Sequence, residues 1–169
     1  MAKLKAADKG LIFSSCIFNH DKIDATAVES IWKERYRLSG SLTPQTTPAF
    51  DYYSKEMGSG LSRLILWSHE HYCREELVAG KLWADGVEGQ HLDSGSRVIN
   101  MDIGILVKEQ MILATSKPYA HRIYLGSGVY ADLTYKYENK SYQFLPWTYP
   151  DYKCPEKVEL FNSLRTRLF

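Results

Sequence analysis

The sequence predicts an α+β domain, and three observations carry that prediction. The segment His121–Leu145 alternates apolar and polar residues between short Gly- and Asn-containing breaks, the pattern of an antiparallel meander. The first hundred residues hold two segments of helical periodicity among short apolar runs, in the order β-α-β-β-α-β. A last apolar stripe at three- and four-residue spacing follows Pro155 and closes the chain as a helix.

Each element has its own signal. Leu11–Phe18 is short, rich in Ile and Phe, and reads as a buried strand. Asp21 can cap a helix whose stripe is Ile23, Ala27 and Ile31, with Val28, Trp32 and Tyr36 beside it, ending near Leu38-Ser39-Gly40. Ser41–Pro48 is Thr-rich and carries two prolines, so it is an edge strand or a loop. Asp51–Gly60 reads as an irregular connection and Leu61–Ser68 as a strand. Arg74–Val87 reads as a helix with Glu75 and Glu76 in its first turn, where the helix dipole favours acids. Gly80 and Gly86 each cost that helix about 1 kcal/mol relative to Ala. Gln90–Ser96 is a loop and Arg97–Ile103 a strand. This is the split βαβ, ferredoxin-like order, with both helices on one face of the sheet. Residues 104–116 fit either one buried helix or a turn at Lys108-Glu109-Gln110 followed by a strand at Met111–Thr115, and we favour the turn and strand.

The meander can be argued by parity, because side chains alternate faces along a strand. Val129, Ala131, Leu133 and Tyr135 are apolar and odd, as are Ile123 and Leu125, so an odd loop must join them. Gly126-Ser127-Gly128 supplies it and sets Leu125 opposite Val129, Ile123 opposite Ala131, Tyr124 opposite Tyr130 and Arg122 opposite Asp132. Tyr142 and Phe144 need an even loop, and Asn139-Lys140 sets Tyr137 opposite Tyr142 and Tyr135 opposite Phe144. By this parity His121 and Arg122 point to opposite faces.

Composition narrows the function. At 169 residues, one domain over 1–169 is expected, a split βαβ half at 1–103 followed by the meander and helix at 104–169. A chain of this length buries roughly 70% of its unfolded surface without staples. The net charge of +1 argues against nucleic acid held by bulk electrostatics. Cys16, Cys73 and Cys154 are widely separated and form no CxxC pair, so neither a disulfide framework nor a structural metal site is expected. Leu11–Phe18 is too short and too polar to span a membrane, and no small-residue cleavage site follows it. The expected setting is the reduced cytoplasm, with no membrane partner.

Several blocks resemble a bacterial family known as domain of unknown function 4416. They are His121-Arg122-Ile123-Tyr124-Leu125-Gly126, Gly128-Val129-Tyr130-Ala131, and Leu145-Pro146-Trp147-Thr148-Tyr149-Pro150-Asp151-Tyr152. Asp51-Tyr52-Tyr53-Ser54-Lys55-Glu56-Met57-Gly58 and Leu113-Ala114-Thr115-Ser116-Lys117 belong to the same likeness. The chain departs at Asn100-Met101-Asp102-Ile103-Gly104-Ile105, where the resemblance implies Asn-Leu-Asp-Pro-Gly-Tyr. If that Pro and Tyr shape a ligand loop in relatives, Ile103 and Ile105 put the loop in doubt here. Some relatives carry a GTP-binding label. This chain has no GxxxxGK[ST] loop, and Asn139-Lys140-Ser141-Tyr142 lacks the acid of a guanine-reading motif.

Four groups of residues are candidates for chemistry. His69 and His71, with Cys73 and Glu75 nearby, are the weak candidates for a metal; a solvated strand end is the plainer reading. Asp51, Tyr53 and Glu56 lie in a predicted loop and could bind or do acid–base work, or simply cap and pack. Asn100, Asp102, Thr115, Lys117, His121 and Arg122 lie near strand ends and suit an anion, although Arg122 has a structural partner in Asp132 and His121 could pack against Leu133. Trp147, Tyr149 and Tyr152 either wall a site or pack over the core. We expect a small anionic ligand or a protein partner. The alternatives are an enzyme using Asp51 or Glu56 with His121 and Lys117, GTP binding as in the relatives' label, and RNA bound through Tyr124 and Tyr130. The residues name no cofactor and no oligomeric state, and they leave open whether the protein is an enzyme.

Overall fold

The computed structural model describes residues 3–44 and 50–169. In chain order its elements are β1 Gly10–Asn19, α1 Ala25–Lys33, β2 Leu38–Leu42, α2 Phe50–Met57, β3 Leu61–Tyr72, α3 Glu76–Gln90, β4 Leu92–Asp93, β5 Ser96–Arg97, β6 Ile99–Val107, β7 Gln110–Thr115, β8 Arg122–Gly126, β9 Val129–Glu138, β10 Ser141–Phe144 and α4 Pro155–Arg165. The main sheet runs β10-β9-β7-β6-β1-β3-β2, with β8 also paired to β9 and every pairing antiparallel. The protein is thus a mixed α and β structure on a mostly antiparallel sheet.

The sheet is covered on both sides. Val28, Ile31 and Trp32 of α1 and Leu77, Ala84 and Val87 of α3 pack on one face, against Ile12, Cys16, Met101, Ile103 and Ile105. Phe161 and Leu164 of α4 pack on the other, against Leu11, Phe13, Leu106, Met111 and Tyr135. This double cover is why β1 is buried at every position and is mostly apolar, with Ser14 and Ser15 in its middle. Gly80 has a packing reason for its helix cost, because a Cβ there would lie 2.5 Å from the Tyr36 hydroxyl.

The sequence reading needs correction in several places. Asp24, not Asp21, caps α1, its Oδ1 accepting from Ala27 N at 2.8 Å. The helix stops at Lys33, and Leu38–Leu42 is strand β2. Asp51 and its neighbours form helix α2 rather than an irregular connection; Met57 is its buried residue, so apolar periodicity had little to register. β3 extends past Ser68 to Tyr72, and the loop at 90–96 holds the β4–β5 hairpin. Residues 45–49, part of the expected edge segment, lie outside the described residues. The favoured turn and strand in 104–116 hold: β6 runs to Val107 and β7 starts at Gln110.

The meander pairs as parity requires at Arg122–Asp132, Ile123–Ala131, Tyr124–Tyr130, Tyr137–Tyr142 and Tyr135–Phe144. Gly126, not Leu125, faces Val129, through a bulge. The tight turn is then Ser127-Gly128, both at positive φ. Burial follows the expectation at Val129 and Tyr135 and departs from it elsewhere. Ile123 is 70% exposed, whereas Asp132 and Thr134 are buried. For Asp132 and Thr134 the cause is a second bulge. On β9, Leu133 pairs with Ile112 and Tyr135 with Met111, so Thr134 is the extra residue. The extra residue puts Asp132 and Tyr135 on the same face, the one that α4 covers, although their parities differ.

Candidate functional site

A cavity of about 500 Å³ opens where the sheet splits. β6 pairs with β7 only from Gly104 to Val107. Beyond Gly104, β7 stays with β9 through Thr115 while β6 stays with β1. Asn100 and Asp102 line one bank of the gap and Leu113 to Lys117 the other. Lys81 reaches it from α3, Arg63 from β3, Tyr52 and Tyr53 from α2, and Arg97 from β5. The C-terminal stretch Tyr149 to Tyr152 and Asp132 of β9 complete the wall.

The aromatic, proline-rich block holds that wall in place. Trp147 Nε1 donates to Leu133 O at 2.8 Å, and Thr148 Oγ1 donates to Thr134 O at 2.6 Å. Both bonds satisfy β9 carbonyls beside the bulge, and they fix the chain that carries Tyr149, Asp151 and Tyr152. Tyr135 donates to Tyr152 O from below.

The charges fall into three linked groups. Arg63 Nη1 donates to Ser15 Oγ at 2.8 Å and to Asp151 Oδ2 at 2.5 Å. Lys157, fully buried, also meets Asp151 Oδ2, at 2.7 Å, with Tyr152's ring beside it. Burial and the Arg63 charge lower the Lys157 amine's pKa, and Asp151 opposes them. Arg97 forks onto Glu56 at 2.7 and 2.8 Å; its Nη1 donates to Glu88 at 2.6 Å and to Asn100 Oδ1 at 2.8 Å. Glu88 in turn accepts from Met101 N at 2.8 Å, on the strand that leaves β7. Arg122 donates to Asp132 Oδ2 at 2.8 Å, to Lys117 O at 2.9 Å and to Tyr149 Oη at 2.6 Å. His121 reaches the same Asp132 oxygen at 3.2 Å and stacks on Trp147 at 4.9 Å.

Burial sets the titration of the cavity groups. Asp102 is held above the usual carboxylate range by burial, with Arg63 and Lys81 opposing. Tyr53 is raised by burial and then by the Asp102 charge. Tyr152 is raised well above an ordinary phenol by burial, with the Asp102 and Asp151 charges adding to it. Away from the cavity lining, burial pushes the Cys16 thiol up to about 12, so it stays protonated and inert at neutral pH.

Of the sequence candidates, Tyr53, Asn100, Asp102, Thr115 and Lys117 line the cavity. His121 and Arg122 are not lining residues; they hold Asp132, which is. The parity argument that separated these two residues fails because His121 precedes β8, so strand alternation does not govern it. His121 stacks on Trp147. Glu56 touches the site only through Arg97, and Asp51 is an exposed residue in the first turn of α2. His69 and His71 lie at the far end of β3, and the described residues contain no group of three or more His, Cys, Asp or Glu that could hold a metal. Ile103 and Ile105, at the departure from the expected pattern, pack in the α1/α3 core within a strand, while Asn100 and Asp102 face the cavity. The sequence reading missed Arg63, Lys81, Arg97, Asp132 as a wall residue, and Asp151. The usable signal was a charge inside an apolar strand: Arg63 stands in the run Leu61–Trp67, and such a residue is buried only when paired.

The model of a protein family described as a domain of unknown function, DUF4416, matches residues 9–168 and so includes every residue named above. No curated protein and no solved structure matches the chain.

Proposed function

Because this chain belongs to the DUF4416 family, whose description assigns no activity, its function must be read from the site, and we propose that it binds a small anionic ligand in the cavity between β6 and β7. One observation carries the proposal. Among the described residues, five cavity-lining residues each bury a side-chain polar atom that makes no well-formed hydrogen bond: Arg63 Nε, Asn100 Nδ2, Asp132 Oδ1, Asp151 Oδ1 and Tyr152 Oη. Folded proteins pair nearly all such groups, so a cluster of unpaired ones marks a place that a ligand completes. Two of the five are pure donors. Lys81, which also pairs with Asp85, and Lys117 add ammonium groups to the lining, and Arg63 shares Asp151 with Lys157. Donors beside cations suit phosphate or carboxylate oxygens.

Titration with inorganic phosphate, followed by NMR at the Arg63 Nε and Asn100 Nδ2 signals, tests this reading. We expect saturable shifts at both, and a roughly tenfold weaker Kd in Lys81→Met, the equivalent of about 1.4 kcal/mol. Shifts that grow linearly without saturation, or that spare these two signals, would defeat it.

The enzyme alternative needs Asp51 or Glu56 to meet His121 and Lys117. Of these four only Lys117 is a lining residue, so no observation favours that set. GTP binding finds no support in Asn139-Lys140, which form the positive-φ turn between β9 and β10. The RNA reading rests on Tyr124 and Tyr130, whose rings lie 5.1 Å apart. A protein partner is supported by the exposed apolar side chains of β8, Ile123, Tyr124 and Leu125. A cytoplasmic setting agrees with three free cysteines, and no helix among the described residues is long and apolar enough to cross a membrane. We also read β1-α1-β2-β3-α3-β6 as a ferredoxin-like half. Its support is the antiparallel order β6-β1-β3-β2 with α1 and α3 on one face. That reading concerns architecture and implies no activity.

A further inference from the structure

We infer that the ligand joins its acid group to a hydrogen-bond donor, a hydroxyl or an ammonium, and that Asp132 and Asp151 receive the donor. The inference rests on the anion-binding reading and narrows it. Both aspartates are anchored through one oxygen only. Asp132 Oδ2 takes Arg122 Nε at 2.8 Å and His121 Nε2 at 3.2 Å. Asp151 Oδ2 takes Arg63 Nη1 at 2.5 Å and Lys157 Nζ at 2.7 Å. The Oδ1 of each is buried and has no partner among the described residues. Asp132 is 1% and Asp151 6% exposed, so solvent at the surface does not serve them.

A bare anion by itself matches only part of this lining. It would satisfy Arg63 Nε and Asn100 Nδ2, but it would set negative charge against two carboxylate oxygens that only accept. A molecule with a donor close to its acid group satisfies both sets at once. Tyr152 is 2% exposed, and its hydroxyl, which makes no well-formed hydrogen bond, can serve either part because it donates and accepts. The volume of about 500 Å³ far exceeds the roughly 30 Å³ of one water, so the cavity has room for such a molecule. Two kinds of compound share the chemistry: hydroxylated phosphate esters and amino-phosphates or amino acids.

The test compares four probes on the full chain by calorimetry or NMR: inorganic phosphate, glycerol, glycerol 3-phosphate and phosphoethanolamine. We expect at least one of the last two to bind ten or more times tighter than phosphate, with glycerol alone showing no saturation. Glycerol 3-phosphate in the lead identifies hydroxyl donors, and phosphoethanolamine identifies an ammonium. Asp132→Asn should erase the advantage over phosphate. Should that variant fold poorly, Tyr152→Phe serves instead. It removes one hydroxyl and keeps the ring, so it should leave the fold intact while weakening the tighter probe several-fold. Phosphate binding as tightly as both joined probes would overturn this inference and leave the anion reading standing. Binding of none of the four would overturn both, and glycerol binding as tightly as glycerol 3-phosphate would remove the acid group from the proposal.

Discussion

Arg122 Nε and Asp132 Oδ2 meet at 2.8 Å across β8 and β9, and the same guanidinium reaches Lys117 O and Tyr149 Oη. One side chain therefore ties three segments around the cavity: the middle of β9, the chain after β7 and the C-terminal block. A planar fork with fixed donors can do this, and a lysine with one ammonium cannot. Arg122→Lys should lower stability by about 2 kcal/mol, within the range for hydrogen bonds to charged groups. Urea denaturation reads this as a lower midpoint with an unchanged slope. A loss under about 0.5 kcal/mol would mean the clamp holds nothing the fold needs.

The bulge at Thr134 is secured from outside. Thr148 Oγ1 donates to Thr134 O at 2.6 Å and accepts from Leu145 N at 2.8 Å. Thr148→Val keeps the shape and removes both bonds, leaving a buried carbonyl and amide short of a partner. The expected loss is about 2 kcal/mol. It should also weaken phosphate binding, because Thr148 fixes the chain leading to Asp151 and Tyr152.

Asp102 should make stability depend on pH in a predictable direction. Its folded pKa is raised, chiefly by burial. Below about pH 3 both folded and unfolded forms hold the proton, so the group contributes no difference. As pH rises past the ordinary carboxylate pKa of about 4, the unfolded chain releases the proton first. The folded state then binds more protons than the unfolded one, and stability falls with rising pH across that window. Asp102→Asn should raise the Tm at pH 7 and leave it nearly unchanged near pH 3. Thermal melts at the two pH values measure the difference; a variant that loses stability at pH 7 would show that the carboxylate is needed for its attraction to Arg63 and Lys81.

The uneven burial of the meander's apolar residues makes a contrast. Ile123 is 70% exposed and Val129 2% exposed, although the sequence alternation treats them alike. Ile123→Ser should change stability by less than about 0.5 kcal/mol. Val129→Ala should cost about 1–3 kcal/mol through lost burial and the cavity left behind. Equal losses from the two variants would show that β8 is covered in solution by something outside this chain.

The sequence by itself determined what depends on neighbours along the chain. Asn139-Lys140 can adopt the positive φ of a tight turn, so the pairing of Tyr137 with Tyr142 follows from the turn and the alternation. The helix after Pro155 was legible because proline suits a first turn and Phe161 and Leu164 share one face. Tyr53, Asn100, Asp102, Thr115 and Lys117 stood out because polar residues at strand ends and near turns are where sites gather. Only the tertiary structure decided which strand faces are covered, and it did so through one extra residue. Alternation tells which side chains share a face, but a bulge at Thr134 exchanges the faces and carries no mark in the period-two pattern. Likewise the pair Arg63 and Asp151 lies 88 residues apart, and nothing local ties a charge in β3 to an acid before α4. Their meeting depends on where β6 leaves β7 and where α4 docks, and long-range packing of the whole core sets both.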